Sequence, residues 1–261
     1  MERSSRYIIT FAAVVCLVCG VFVSGAAVSL KDRQERNAVL DRQKKVLIVG
    51  GLIDPNSETS PEEIQRLFKE NITAKIIDLK TGVLYDKISA EGFEQEQYTK
   101  DPATSVEAPA RNAAGAKRLP KHALVYESQK NGKLDRLILP VNGKGLWGPL
   151  YGYFALGSDT NTIKGIIFYK HQETPGLGGE IENPNWMSLW PGKKAFAMTK
   201  DGGFGKPKIE VNKGPARDGD EYGIDGLSGA TITSRGVTGM LQFWLSDNGF
   251  GPYLAQVRKG Q

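Results

Sequence analysis

Residues 123–169, ALVYESQKNGKLDRLILPVNGKGLWGPLYGYFALGSDTNTIKGIIFY, decide the fold. Residues 123–127 and 134–141 are strand-like runs on either side of Asn131-Gly132, a dipeptide that favours the tight turn of a β-hairpin. Residues 150–156 and 163–169 flank Ser158-Asp159 and read as another hairpin. Upstream, residues 74–79 and 83–85 flank Thr81-Gly82 in the same manner. Helical signals lie outside this strand-rich middle. Ser60-Pro61-Glu62-Glu63-Ile64 has a cap residue followed by proline at the first helical position, and Ile64, Leu67 and Phe68 then share one face. Near the C-terminus, Val237, Met240, Leu241, Trp244 and Leu245 recur at helical spacing and form one apolar stripe. Strands in the middle with helices at both ends predict an α+β fold with a largely antiparallel sheet, not a βαβ dinucleotide fold. The polar, Ala- and Pro-containing region 95–118 reads as an extended insertion.

Ahead of this domain lies an apolar run. Residues 7–30 contain no charged side chain, and about 20 apolar residues suffice to cross a bilayer. Ser24-Gly25-Ala26-Ala27 would suit signal-peptide cleavage, but the run exceeds the usual length of such a region, so a retained single-pass anchor is expected. The expected organisation is an anchor over 1–30, a stalk or linker over 31–59 and a soluble domain over 60–261. Arg3 and Arg6 precede the span, whereas Lys31, Arg33, Arg36, Arg42, Lys44 and Lys45 follow it. By count this favours a cytoplasmic C-terminal domain, but the rule weakens when a large folded domain follows the helix. Charge alone leaves the topology open.

Composition narrows the chemistry. Lys and Arg number 34 against 29 acidic residues in 261, a net charge of +5. The basic residues are mixed with acids throughout, the pattern of a solvated surface, so no nucleic-acid partner is expected. The two cysteines, Cys16 and Cys19, both lie in the apolar run, and His122 and His171 are the only histidines. The soluble part therefore lacks the means for a disulfide, a thiolate metal site or a cysteine nucleophile, and a histidine zinc site is not expected. Metal ligands are assigned to none, and any chemistry must come from a cofactor.

Three glycine-rich loops are where such a cofactor could sit. The first is Gly143-Lys144-Gly145-Leu146-Trp147-Gly148-Pro149 and the second is His171-Gln172-Glu173-Thr174-Pro175-Gly176-Leu177-Gly178-Gly179. The third, Asp225-Gly226-Leu227-Ser228-Gly229-Ala230-Thr231-Ile232-Thr233-Ser234, runs into the C-terminal amphipathic helix. A small-residue loop at a helix start offers free N–H groups and the positive end of the dipole to a phosphate, with Thr233 or Ser234 able to cap the first turn. On the residues alone, each loop also fits a blander reading. The third could be a capped turn, the second an irregular surface loop with Leu177 folded inward, and Trp147 a core residue.

A resemblance weighs on that choice. The run from Asp225 to Thr231, an Asp followed by Ser-Gly-Ala-Thr, resembles the flavinylation motif of FMN-binding domains in bacterial respiratory complexes. The "ETPGLG" of the second loop resembles the isoalloxazine-contacting loop of the same family, about fifty residues upstream as expected. Two subfamilies share these motifs, the C subunits of Na⁺-translocating NADH:quinone reductases and the G-type subunits of the Rnf ferredoxin:NAD⁺ complex. "GKGLWGPLYGYFAL", "NTIKGIIFYKHQETPGLGGEI" and Asn183-Pro184-Asn185-Trp186 are similar to the quinone-reductase version.

The resemblance implies FMN joined through its phosphate to Thr231 by a flavin transferase, with Asp225 serving that transfer and Ser228, Gly229, Ala230 and Thr233 around the phosphate. It places Glu173, Thr174, Leu177 and Gly178 in cofactor binding. Because Leu146, Trp147 and Leu177 have no periodic strand or helix face to join, Leu146 and Trp147 are expected there too, with the ring between the first two loops. The implied role is an electron-relay subunit, not active alone, held with other membrane subunits in the inner membrane. By the family's arrangement its soluble domain faces the periplasm. A flavin performs one- and two-electron transfer itself, which suits a redox subunit with no catalytic side chains of its own. A different class of reading is a membrane-tethered assembly module without cofactor.

Overall fold

The computed structural model describes residues 4–130 and 132–260. The first element is one 45-residue helix, α1 (Ser5–Val49), about 68 Å long at the α-helical rise. Among the described residues it is the one helix long and apolar enough to cross a membrane. Arg3 lies outside the described residues. The chain divides into two units, residues 1–42 and 43–261, so the folded unit begins inside the segment read as a stalk. Val46, Leu47 and Val49 are buried in it. Gly51, at φ +72°, turns the chain out of the helix, and Arg136 Nη1 donates to the Val49 carbonyl at 2.9 Å. A cation on the last helical carbonyls satisfies an acceptor and opposes the dipole.

Helix α2 (Pro61–Asn71) starts as the sequence predicts, with Ser60 Oγ accepting the Glu63 N–H. Strand β1 (Ile72–Asp78) follows at once. The expected hairpin partner at 83–85 makes only a single bridge, Ile77 to Leu84. Asp78 Oδ1 takes both the N–H and the hydroxyl of Thr81 and bends the chain back, but Val83 and Leu84 stay exposed with no second face to bury. The insertion is also more ordered than expected: it contains α3 (Gln95–Lys100) and β2 (Ser105–Glu107), which pairs with β3 (Arg118–Pro120).

Strands β4 (His122–Lys130), β5 (Lys133–Lys144), β6 (Pro149–Gly157) and β7 (Ile163–Lys170) then form an antiparallel sheet with β1, in the order β1-β4-β5-β6-β7. Both hairpins read from 123–169 are present. Gly132 sits at φ +72° in the first turn, as a tight hairpin requires; its partner in that motif, Asn131, lies outside the described residues. In the second, Asp159 Oδ1 accepts the N–H groups of Asn161 and Thr162.

A 3₁₀ turn (Gly178–Glu182) and α4 (Pro184–Met187) lead to the β8 (Phe196–Met198) and β9 (Phe204–Pro207) pair. Then β10 (Glu210–Val211) runs parallel to β11 (Gly223–Ile224), followed by α5 (Thr231–Leu245) and α6 (Gly251–Lys259). The predicted stripe of α5 is buried throughout, in one core with Leu137, Leu139, Val141, Leu150 and Phe154 of the sheet. Each such side chain contributes roughly 1.5–3 kcal/mol on leaving water, which outweighs the weak helix propensity of the β-branched and glycine-containing start of α5. A Cβ on Gly143 would lie 2.6 Å from Met240 Cβ, so helix and strand approach as closely as backbone allows. Trp244 Nε1 adds a hydrogen bond to the Asn142 carbonyl at 2.7 Å. The α+β class with an antiparallel sheet, behind a long apolar helix, is the fold observed.

Candidate functional site

The first loop joins β5 to β6, the second follows β7, and the third enters α5. Close packing of α5 on the end of β5 brings them together: a Cβ on Gly236 would strike the Lys144 carbonyl. Loop three is itself held from two sides. Asp225 Oδ1 accepts the Ala216 N–H and its carbonyl accepts Trp186 Nε1, both at 2.8 Å. Trp186 belongs to the Asn-Pro-Asn-Trp segment, where Asn183 caps α4 through the Asn185 N–H.

The start of α5 has an unusual property. Its N-cap is Ala230, and no side chain caps the first turn. The capping expected from Thr233 or Ser234 does not occur. Ser234 Oγ instead accepts the Leu227 N–H at 3.2 Å, and the Thr233 hydroxyl donates to Glu173. Both lie past the N-cap, where a hydroxyl cannot fold back over the helix end. The N–H groups of Thr231, Ile232 and Thr233, the first three helical residues, have no intrahelical acceptor. Those of Thr231 and Ile232, on residues that reach the surface, are available to an anion, whereas Thr233 is fully buried. Thr231 stands half-buried at their edge, Ser228 and Gly229 are exposed, and Arg235 supplies an exposed cation one turn later.

Glu173 is the polar centre of the cradle. It is 5% exposed. Its Oε1 accepts the N–H groups of Leu146 and Trp147, each at 3.0 Å, and its Oε2 accepts from the Thr233 hydroxyl. One carboxylate thus ties together all three loops. Gly145 and Gly178 make room for it, since a Cβ on either would approach a Glu173 oxygen to 2.5 Å. In the second loop the Thr174 carbonyl takes the N–H groups of Leu177 and Gly179. Gly176, at φ +76°, allows the reversal that pushes Leu177 outward.

Leu177 reaches loop three: a Cβ on Gly229 would lie 3.0 Å from Leu177 Cδ2. It is 45% exposed, and in the first loop Leu146 is 46% and Trp147 66% exposed. The core reading for Trp147 and the inward reading for Leu177 do not hold. Ile232, 56% exposed in the first turn of α5, was missed from sequence. The signal was there: Ile232 lies about 140° around the helix from Val237, well off the buried stripe. The donor set and apolar side chains fit a flavin mononucleotide, with free N–H groups for its phosphate and exposed apolar surface for its ring. Sequence reasoning placed Glu173 and Thr233 at the cofactor, whereas in the structure their side chains are spent on each other and on loop one.

The family model described as FMN-binding domain matches residues 145–246, a span that ends one residue past α5. Among curated relatives, the C subunit of the Na⁺-translocating NADH-quinone reductase of Pseudomonas aeruginosa is 44% identical over 264 residues, covering 100% of this chain and 98% of the relative. Its counterpart in Vibrio campbellii is 44% identical over 249 residues, covering 94% and 92%. The crystal structure of NqrC from Shewanella oneidensis superposes with a TM-score of 0.77 at 32% identity, covering 87% of this chain and 99% of that one. The crystal structure of the corresponding C subunit from Parabacteroides distasonis gives 0.65 at 30% identity, covering 86% and 96%.

Proposed function

This chain belongs to the family of C subunits of Na⁺-translocating NADH-quinone reductases, and we propose that in it FMN is held covalently through its phosphate to the Thr231 hydroxyl. The chain is an electron-relay subunit of that oxidoreductase complex, built around an FMN-binding domain, and it works with the other subunits of the complex. The cofactor, when bound, supplies the electron-transfer chemistry. The protein's own residues hold and orient it.

One observation supports a phosphate at Thr231, and the motif resemblance supplies the covalent link. Thr231 is the first residue of a 15-residue helix whose N-terminus no side chain caps. A phosphodiester on Thr231 keeps about one negative charge directly at the free N–H groups of that turn. The dipole alone favours it by roughly 0.3–1 kcal/mol at an exposed helix end. Leu146, Trp147 and Leu177 cover the ring, with Thr174 beside them and Ile232 as an additional apolar contact. Ser228, Gly229 and Ala230 shape the turn, and Asp225 serves the transfer reaction of a flavin transferase. The domain after the span faces the periplasm, where a covalent link prevents loss of a cofactor that cannot be replaced there.

Intact-mass analysis after co-expression with a flavin transferase tests the attachment. The wild-type chain should carry one FMN adduct and fluoresce in a denaturing gel, and Thr231→Ala should lose both while remaining folded. An adduct retained by Thr231→Ala moves the site elsewhere, and a colourless wild type supports the assembly-module reading. A C-terminal alkaline phosphatase fusion tests the orientation: activity supports the periplasmic placement, and a reporter that works only in the cytosol reverses it.

A further inference from the structure

Glu173 presents a puzzle that fold stability does not solve. Its carboxylate is buried, and among the described residues its partners are two amides and a hydroxyl, with no cation. A glutamine of the same shape could satisfy all three. Its carbonyl would accept the Leu146 and Trp147 N–H groups, and its amide would donate to Thr233 Oγ1. It would also avoid the desolvation cost that an unpaired buried carboxylate carries. The charge is therefore not what the position requires, and what the side chain supplies is geometric. It spans 27 and 26 residues back to Leu146 and Trp147 and 60 residues forward to Thr233. Those are the apolar loop at the ring end of the site and the first turn of the helix that starts at Thr231.

Resting on the FMN assignment above, we propose that Glu173 is a positioning residue. It touches neither ring nor phosphate but locks the Leu146–Trp147 loop to the first turn of α5. The two ends of the cofactor site thereby keep one separation. Two features of the cradle support this. The Leu146 and Trp147 N–H groups are both taken by Glu173, so at the tip of the first loop it is the two side chains that remain exposed. The wedge is also tight on both sides, because Gly145 and Gly178 leave no space for a Cβ beside the carboxylate. Without the brace, the tip of the first loop would keep its own Gly145 N–H to Gly148 carbonyl turn but lose its tie to α5. A flavin tethered at Thr231 would then remain attached but swing.

The test uses the full-length chain in two states. Without cofactor, hydrogen exchange at the Leu146 and Trp147 amides should be roughly tenfold or more faster in Glu173→Ala, since each loses a bond to a charged acceptor, and near wild type in Glu173→Gln. With FMN attached, Glu173→Ala and Thr233→Val should keep the mass adduct. Both should lose visible circular dichroism and fluorescence anisotropy of the flavin, and Glu173→Gln should restore them. Thr233→Val removes one hydroxyl at constant volume and decides the matter if Glu173→Ala does not fold. Wild-type dichroism and anisotropy in both Glu173→Ala and Thr233→Val would overturn the proposal, as would unchanged amide exchange in Glu173→Ala. A wild-type chain without an FMN adduct sinks the cofactor assignment instead, and the exchange experiment still reports on the brace.

Discussion

Helix α5 and the loops around its start carry two kinds of apolar side chain. Val237, Met240, Leu241, Trp244 and Leu245 are buried against the sheet, whereas Ile232, Leu146, Trp147 and Leu177 lie open within the same small region. The first group has its partners inside the chain. The second sits on loops whose backbone is fixed by glycines, by the Thr174 carbonyl and by Glu173, so its exposure is held in place by specific bonds. A buried carboxylate keeps Leu146 and Trp147 in position while their side chains stay open. Apolar exposure next to free helix-start N–H groups is the physical signature of this site.

The contrast can be broken most strongly from the buried side. Trp244→Ala removes a fully buried indole and leaves the Asn142 carbonyl unpaired. It should cost about 3–5 kcal/mol in chemical denaturation. Gly178→Val comes next, at about 1–3 kcal/mol of overpacking. Its added Cβ would lie 2.5 Å from Glu173 Oε2 and 2.6 Å from Thr233 Oγ1. The left-handed strain in that loop belongs to Gly176, not to Gly178, so the damage is steric and should also disturb the flavin spectrum.

Leu177→Ala should do the reverse. Without cofactor its effect on stability should stay within about 0.5 kcal/mol, as for an exposed position. With FMN attached it should shift the absorption or midpoint potential and leave the Thr231 adduct intact. A large loss of stability without any flavin change would move Leu177 into the first group and dissolve the comparison.

The smallest expected effect is a pH dependence far from the site. Burial pushes the Asp159 carboxyl up, but the Thr162 hydroxyl and N–H, the Asn161 N–H and Lys194 together hold it below its ordinary value of 3.8. Because the folded value is the lower one, its contribution is fully present above about 3.8 and is lost as the pH falls through the folded value. Asp159→Asn should therefore lower the melting temperature slightly at neutral pH and flatten its decline below about pH 4. Its half-exposed position keeps the effect small.

How much of this was legible varies with the range of the interaction. The two hairpins of 123–169, the cap at Ser60 and the stripe of α5 depend on neighbours within a few residues, and all are present. The pairing of 83–85 was over-read: the segment makes one bridge on the edge of β1 opposite β4, and Val83 and Leu84 stay exposed there, so no burial extends the pairing. The insertion at 95–118 was under-read. Its order comes from distant partners, such as Gln95 Oε1 accepting the Leu124 N–H. At the site, the motifs marked the three loops, but they could not distinguish a side chain that turns outward from one that turns toward its neighbours.

By itself, then, the sequence determined the apolar span, the α+β class, the segments that become the loops and, through resemblance, the family and its cofactor. Each rests on short-range periodicity or on an unbroken run of residues. Only the tertiary structure decided that Glu173 and Thr233 turn inward, that Leu146, Trp147, Leu177 and Ile232 turn outward, and that the start of α5 is left without a cap. Those outcomes depend on contacts between segments 26, 27 and 60 residues apart, and such contacts exist only once the sheet has brought the three loops to one end.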